Sequence, residues 1–436
     1  MMRLPWAPMS ERSWGFRTRA LHAGGTPDPA TGARAVPIYQ TTSFVFEDAA
    51  DAANLFALQK YGNVYSRIGN PTAAAFEERI ASLEDAIGGV ATASGQAAEF
   101  LTFSALTEAG DHIVSASGLY GGTVTQLTGT LRRFGVETTF VSGGIDDYAA
   151  AITERTRLLY TEVIGNPGGG IADLAALADL AHAHDIPLVV DATLATPYLC
   201  RPIEHGADIV LHSATKFLGG HGTTLGGIVV ESGKFDWGNG KFPRMTETVD
   251  SYGGLKYWEN FGEYAFCTRL RAEQLRDIGA VLSPHSAFLL LQGVETLPQR
   301  MDAHVANARA VAEYLEADPR VAWVSYAGLP SHPHHDLAKK YLPAGPGAVF
   351  AFGIDGGRAA GETFVESVEL LSHLANVGDA RTLVIHPAST THAQLSGEQL
   401  AAAGVGPDLI RLSIGLEDVD DILWDLDQAL GKAVAG

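Results

Sequence analysis

The sequence predicts a doubly wound α/β protein with a smaller α+β unit at its C-terminal end. Three observations predict it. From about residue 88 to residue 230, short apolar runs alternate with stretches of helical periodicity, the pattern of a largely parallel sheet covered by helices. Several of the runs are apolar throughout, as strands buried on both faces are. The composition, 46% hydrophobic and 18% charged over 436 residues, is that of an ordered chain with room for two or three domains.

The first 70 residues differ in kind. Leu21–Asn70 is rich in Gly, Pro and Thr with little periodicity, which predicts an extended arm laid on another surface, such as a second subunit. Asn70-Pro71 then reads as a helix start, with Phe76, Ile80, Leu83 and Ile87 at helical spacing until Gly88-Gly89 stops the run. The predicted strands are Val90–Ala93, His112–Ala116, Thr138–Ser142, Leu158–Val163, Pro187–Asp191, Asp208–His212 and Gly226–Val230, with helices such as Gln96–Glu108 and Asp173–His184 between them. Arg269–Glu295 reads as a helical stretch interrupted at Pro284. Beyond a boundary near 285–295, a helix with Val305, Ala308, Val311 and Leu315 on one face precedes strands Ala348–Ile354, Leu383–His386 and Ile410–Ile414. A last helix carries Val419, Ile422, Leu423, Leu426 and Leu430 on one face. The division expected is an arm at 1–69, an α/β domain at 70–290 and an α+β domain at 291–436.

Fifty acidic against 30 basic residues give a net charge of −20, which argues against nucleic acid as a partner. No apolar run approaches the ~18–20 residues that span a bilayer. The start, MMRLPWAPMSERSW, lacks the apolar core of a secretory signal. Cys200 and Cys267 have no metal or redox spacing, as expected of reduced thiols. A cytoplasmic protein is the expectation.

Three places carry chemistry. Lys216 stands in Ser213-Ala214-Thr215-Lys216, directly after an apolar strand and before Gly219-Gly220-His221-Gly222. Desolvation there lowers an amine's pKa and makes it nucleophilic, although a snorkelling loop lysine fits this segment alone equally well. Asp191 ends an apolar strand and points at the crevice where such sheets bind ligands; a helix cap is the alternative. Ser94-Gly95-Gln96 joins a strand to a helix N-terminus, an anion-binding arrangement that many loops share. Together they supply a phosphate anchor, a partner for a pyridine nitrogen and a Schiff-base amine, the set that pyridoxal phosphate requires. Tyr120, in Leu119-Tyr120-Gly121-Gly122-Thr123, stands in a loop where its ring could stack on the pyridine face, with ordinary packing as the alternative.

These residues lie within motifs that resemble the cysteine/methionine-metabolism group of pyridoxal-phosphate enzymes. The motifs are YSRIGNPT (65–72), ASGQAA (93–98), LYGGT (119–123), HGADIVLHSATKFLGGHG (205–222), SHLANVGDA (372–380), HPASTTH (386–392) and RLSIGLE (411–417). The likeness runs from about Leu21 to Leu430, nearly the whole chain. Within the group it is greatest to the O-acetylhomoserine sulfhydrylase branch, through AVPIYQTTSFVF (35–46), IGNPGGGIAD (164–173), KFDWG with the insert Gly233–Phe266, and LANVGDA.

The resemblance implies the aspartate-aminotransferase-like fold (fold type I), with a mostly parallel seven-stranded sheet. It implies γ-replacement on an acylated homoserine by sulfide, giving homocysteine for methionine biosynthesis, with γ-elimination or cystathionine synthesis as variants on the same scaffold. It makes Lys216 the cofactor lysine and Asp191 the partner of the pyridine nitrogen. Gly95, Gln96, Ser213 and Thr215 match phosphate-holding positions, and Tyr65 and Arg67 match a pair that reaches the phosphate from a neighbouring subunit. Tyr120 matches the stacking ring and a helper in proton transfer. Arg411 matches the substrate-carboxylate arginine, assisted by Asn166 and Asn376. A homotetramer with shared active sites is likewise implied. Two departures from the group's pattern, Asp191-Ala192-Thr193 and Ser283-Pro284-His285-Ser286, bear on substrate specificity.

Other candidates read as surface. Ser331-His332-Pro333-His334-His335 lacks a surrounding ligand set and reads as a solvated loop, so no metal is expected. His182 and His184 face different ways on a helix. Glu417, Asp418, Asp420, Asp421 and Asp425 read as the polar face of the last helix.

Overall fold

The computed structural model describes residues 13–391, 393 and 405–434. The first twelve residues, His392 of the HPASTTH motif and the last two residues of the chain lie outside the described residues.

The larger sheet holds β1 (Gly88–Thr92), β2 (His112–Ala116), β3 (Glu137–Val141), β4 (Thr156–Glu162), β5 (Leu188–Asp191), β6 (Ile209–His212) and β7 (Gly227–Glu231), in the order β1-β7-β6-β5-β4-β2-β3. The five strands from β3 to β6 run parallel, and β7 lies antiparallel to both of its neighbours. Each begins and ends within two residues of its predicted place, because an apolar run buried on two faces leaves little freedom in register. Glu162, Asp191 and His212 end three adjacent strands at the same edge of the sheet, where open α/β sheets bind ligands.

One helix expectation is corrected. The helix Pro71–Glu84, capped by the Asn70 side chain, ends at Asp85 in the left-handed conformation; Gly88 and Gly89 are the first residues of β1. The stretch Arg269–Glu295 is interrupted as expected, at residues 279–283 just before Pro284. Pro284 is the first residue of the helix Pro284–Glu295, capped by Ser283, since proline's missing N–H has no intrahelical partner at that position in any case.

The arm is not wholly extended. It contains the short helices Phe16–His22 and Ala49–Phe56, the second capped by Asp48. It is fastened to the body where Asn70 Nδ2 donates to Tyr39 O at 2.8 Å, Thr72 Oγ1 to Pro37 O at 2.8 Å, and Arg79 Nε to Ala23 O at 2.8 Å. Val45 is fully exposed and Phe56 largely so.

A second, five-stranded sheet holds β8 (Val321–Ser325), β9 (Val349–Ile354), β10 (Ser372–His373), β11 (Leu383–Ile385) and β12 (Leu409–Ser413), ordered β10-β11-β12-β9-β8. The helices Leu297–Ala317 and Val419–Val434 pack into the same core. β8 and β10 have no counterpart among the predicted strands. β8 is a half-exposed edge and β10 only two residues long.

Two surface expectations fail. Asp425 is fully buried, and its carboxylate accepts from the N–H groups of Glu369, Leu370 and Leu371 and from Gln428 Nε2, each at 2.8 Å. Glu417 accepts from Thr382 N at 2.7 Å and Thr382 Oγ1 at 2.8 Å. The histidine motif is not a solvated loop either: His332 is buried and His334 accepts from Ile171 N at 2.8 Å. Among the described residues no helix is long and apolar enough to cross a membrane, and no cluster of three or more His, Cys, Asp or Glu could hold a metal ion. Both cysteines are buried free thiols.

Candidate active site

Lys216 stands in the turn that follows β6. Its N–H donates to Ser213 O at 3.2 Å and its carbonyl accepts from Gly220 N at 2.7 Å. A buried guanidinium holds this turn from below: Arg300 donates to Phe217 O at 2.8 Å, Leu218 O at 3.3 Å and Gly293 O at 2.7 Å. The small sheet's loop presses on it from the other side. Gly378, at φ +75°, has no room for a side chain: a Cβ would lie 2.7 Å from Phe217 N and 3.0 Å from the Lys216 carbonyl carbon.

The Lys216 amine donates to Asn376 Oδ1. Burial, and after it the charge of Arg411, pulls this ammonium down to about 8. Arg411 lies on β12 and donates to Asn166 Oδ1 at 3.3 Å and Asn376 O at 3.2 Å. Burial pulls its guanidinium down to about 10. Lys216, Asn376, Arg411 and Asn166 are therefore linked by hydrogen bonds, although the chain separates them by up to 245 positions.

Across the strand ends lies a nest of carboxyl groups. Asp191 accepts from Thr193 N at 2.7 Å and is raised by burial. Its neighbour Glu162, at the register-matched end of β4, is pushed well up by burial and then by the charge of Asp191. Glu99, on the helix Gly95–Leu106, is pushed up to about 8 by burial and then by Asp191; it accepts from Thr123 Oγ1 at 2.8 Å and Tyr160 OH at 3.0 Å. Among the described residues none of the three forms an ion pair with a lysine or arginine. Three buried carboxyls without a cation leave the crevice short of positive charge.

Glu162 also reaches Tyr120, whose N–H donates to Glu162 Oε1 at 2.6 Å. The half-exposed Tyr120 ring lies over Gly122, where a Cβ would come within 2.4 Å of it. Residues Glu99 and Glu162 escaped the sequence analysis. Glu162 carries the signal that found Asp191, an acidic residue closing an apolar strand.

The helix Gly95–Leu106 begins against the end of β6. A Cβ on Gly95 would lie 2.6 Å from Ser213 Cβ, so only glycine permits this approach. Ser94 caps the helix through Ala97 N at 3.1 Å, and the first-turn N–H groups of Gly95 and Gln96 have no intrahelical acceptor. Ser213 N donates to Thr193 Oγ1 at 2.8 Å. Thr215 Oγ1 donates to Gly226 O at 3.1 Å and accepts from Gly226 N at 3.0 Å. Tyr65 and Arg67 stay apart from this assembly. They contact each other, with the Arg67 guanidinium carbon 5.5 Å from the Tyr65 ring centre, and Arg67 donates to Arg276 O.

Comparison with known proteins gives the chain's family. The family described as Cys/Met metabolism PLP-dependent enzyme matches residues 17–431. The chain belongs to that family. Its members are pyridoxal-phosphate enzymes, and this chain shares their cofactor and fold. It is 52% identical to the homocysteine synthase of Schizosaccharomyces pombe, over 96% of this chain and 98% of that protein. It is 49% identical to the O-acetyl-L-homoserine sulfhydrylase of Leptospira meyeri, over 96% and 97% respectively. Among solved structures it is similar to the O-acetylhomoserine (thiol)-lyase (metY) of Campylobacter jejuni, with TM-score 0.93 and 37% identity over 96% of this chain and 100% of that one. That structure carries a pyridoxyl-lysine phosphate.

Proposed function

We propose that this member of the family catalyses γ-replacement, converting O-acetyl-L-homoserine and sulfide to L-homocysteine and acetate in methionine biosynthesis. The observation that carries the reading is the hydrogen-bonded set Lys216–Asn376–Arg411–Asn166, in a chain that also gathers the carboxyls of Asp191, Glu162 and Glu99 at the strand ends. The names of relatives about half identical over nearly their whole length support it.

The residues fit pyridoxal phosphate. The free N–H groups of Gly95 and Gln96, with Ser213 and Thr215 beside them, suit a phosphate, and the cation-poor carboxyl nest suits a protonated pyridine nitrogen at Asp191. Lys216 would hold the cofactor covalently and Tyr120 would cover its ring. When bound, pyridoxal phosphate supplies an electron sink for negative charge at the substrate's Cα.

The chain's own residues do the rest. Arg411 takes the substrate carboxylate in its two-pronged fork, with Asn166 and Asn376 fixing the fork's plane. Once the substrate's amine has displaced it from the cofactor, the Lys216 amine, which burial pulls down to about 8, would take the proton from Cα, pass it on, and only then take one from Cβ. Acetate then leaves Cγ, sulfide adds there, and both protons return through the same amine. Protons and charge balance: hydrosulfide enters and acetate departs. Tyr120 assists the proton transfers.

Tyr65 and Arg67 complete the phosphate site of a neighbouring subunit, a role supported by their separation from the rest of the set and by the exposed Val45 and Phe56 on the same arm. The chain then works as a homotetramer of dimers with shared sites, in the cytoplasm, divided into arm (1–69), cofactor domain (70–290) and C-terminal domain (291–436).

Product analysis tests the reaction. Purified holoenzyme with O-acetylhomoserine is expected to form homocysteine only when sulfide is present. Release of 2-oxobutyrate without sulfide would assign the chain to γ-elimination instead.

A further inference from the structure

The histidine motif has a place in the structure that its surface reading missed. The glycine-rich turn Gly165–Ile171 carries Asn166, the residue that meets Arg411. The turn closes on itself through Gly165 N to Gly170 O and Gly169 N to Gly165 O, both at 2.8 Å. The small sheet grips it at two further points. Ser325 Oγ donates to Gly168 O at 2.6 Å, and Ile171 N donates to His334 Nδ1 at 2.8 Å.

Register explains why these contacts act together. Ser325 on β8 pairs with Ala351 on β9, and Ala351 pairs with Arg411 on β12. One cross-strand row therefore holds the turn at Gly168 by one end and at Asn166 by the other. The tautomers are set by the donors. An N–H can only donate, so His334 Nδ1 is an acceptor, as is His332 Nδ1, which receives His334 N at 3.1 Å. The remaining proton of His332 sits on Nε2, 3.3 Å from Ser325 Oγ, and turns that hydroxyl's own proton toward Gly168. The glycines make the grip feasible: a Cβ on Gly169, at φ +68°, would lie 3.0 Å from Ser325 O, and one on Gly170 3.5 Å from the His334 ring.

We propose that His334 and Ser325 are positioning residues that hold the Gly165–Ile171 turn so that Asn166 meets Arg411, and thereby set the affinity for the amino-acid substrate's carboxylate. The inference rests on the reading of Arg411 as the carboxylate arginine.

The test is steady-state kinetics of the holoenzyme and its His334→Leu, His334→Asn, Ser325→Ala and Arg411→Lys variants. His334→Leu is expected to raise KM for O-acetylhomoserine about tenfold, with kcat within about twofold and KM for sulfide unchanged. His334→Asn restores most of the loss, because its Oδ1 can accept from Ile171 N. An unchanged KM, an equal fall in kcat, or no advantage of Asn over Leu would overturn the proposal. Should His334→Leu fail to fold, Ser325→Ala decides it by the same KM signature from the Gly168 end. Arg411→Lys separates the two readings: if it leaves KM unchanged, the carboxylate role is wrong. If it raises KM while the clamp variants do not, only the clamp is wrong.

Discussion

Two regions hold carboxyl groups largely out of water and treat them in different ways. Asp425, under the last helix, is surrounded by four N–H donors that leave its charge fully solvated by the protein. Asp191 and Glu162, at the strand ends, crowd against Glu99; Glu99 accepts from Gln96 Nε2, Thr123 Oγ1 and Tyr160 OH, Glu162 from Tyr120 N and Asp191 from Thr193 N, and none of the three is paired with a lysine or arginine among the described residues. The first arrangement stabilises the fold: it ties residues 369–371 to a helix more than fifty positions later. In the second, burial and the charge of Asp191 raise the Glu162 and Glu99 carboxyls, as in a site built to receive a cation. A lone carboxylate ringed by N–H donors marks structure here, and carboxyls crowded against one another mark the candidate site.

Four substitutions can break or sharpen that contrast. Lys216→Ala is expected to remove turnover by about 10⁴-fold or more, with loss of the visible absorbance of lysine-bound cofactor and little change in Tm. Turnover retained by this variant would remove the lysine from the chemistry. Asp425→Ala should do the reverse. Three backbone N–H groups, that of Leu371 buried, lose their acceptor, which costs about 3 kcal/mol in unfolding free energy, while KM per folded molecule stays put; denaturant titration alongside kinetics reads both. Arg411→Lys keeps the charge and loses the fork, so KM for O-acetylhomoserine should rise about tenfold.

The smallest effect is the most pointed. Glu99, pushed up to about 8 by burial and by Asp191, keeps a proton in the folded chain that the unfolded chain has released above the ordinary glutamate range. Wild-type stability therefore falls as pH rises toward and through 8. Glu99→Gln in the cofactor-free protein should raise Tm by a few degrees at pH 8.5 and by nothing measurable at pH 4. An equal gain at both pH values would mean that packing, not charge, is responsible.

The large sheet was legible because its strands are apolar runs whose burial on both faces leaves one register. Lys216 and Asp191 were legible for a related reason: a charged residue ending such a run has few places to go. The roles of Arg411, Asn166 and Asn376 came through resemblance, since nothing local marks a residue whose partner is 245 positions away. Asp425 and the histidine motif were misread on the same ground. Charge and proline suggest solvent, and only the tertiary fold brings Leu371 N to one and Ile171 N to the other. The arm's second helix, Ala49–Phe56, hid because eight residues give barely two turns of periodicity.

Arg300, beneath the lysine turn, has a kinetic consequence. With the carbonyls of Phe217, Leu218 and Gly293 converging on one guanidinium, the backbone around Lys216 is fixed while its amine has to travel from one substrate carbon to the next. That travel is confined to rotation about the side chain's own bonds, so the relay needs no movement of the backbone turn.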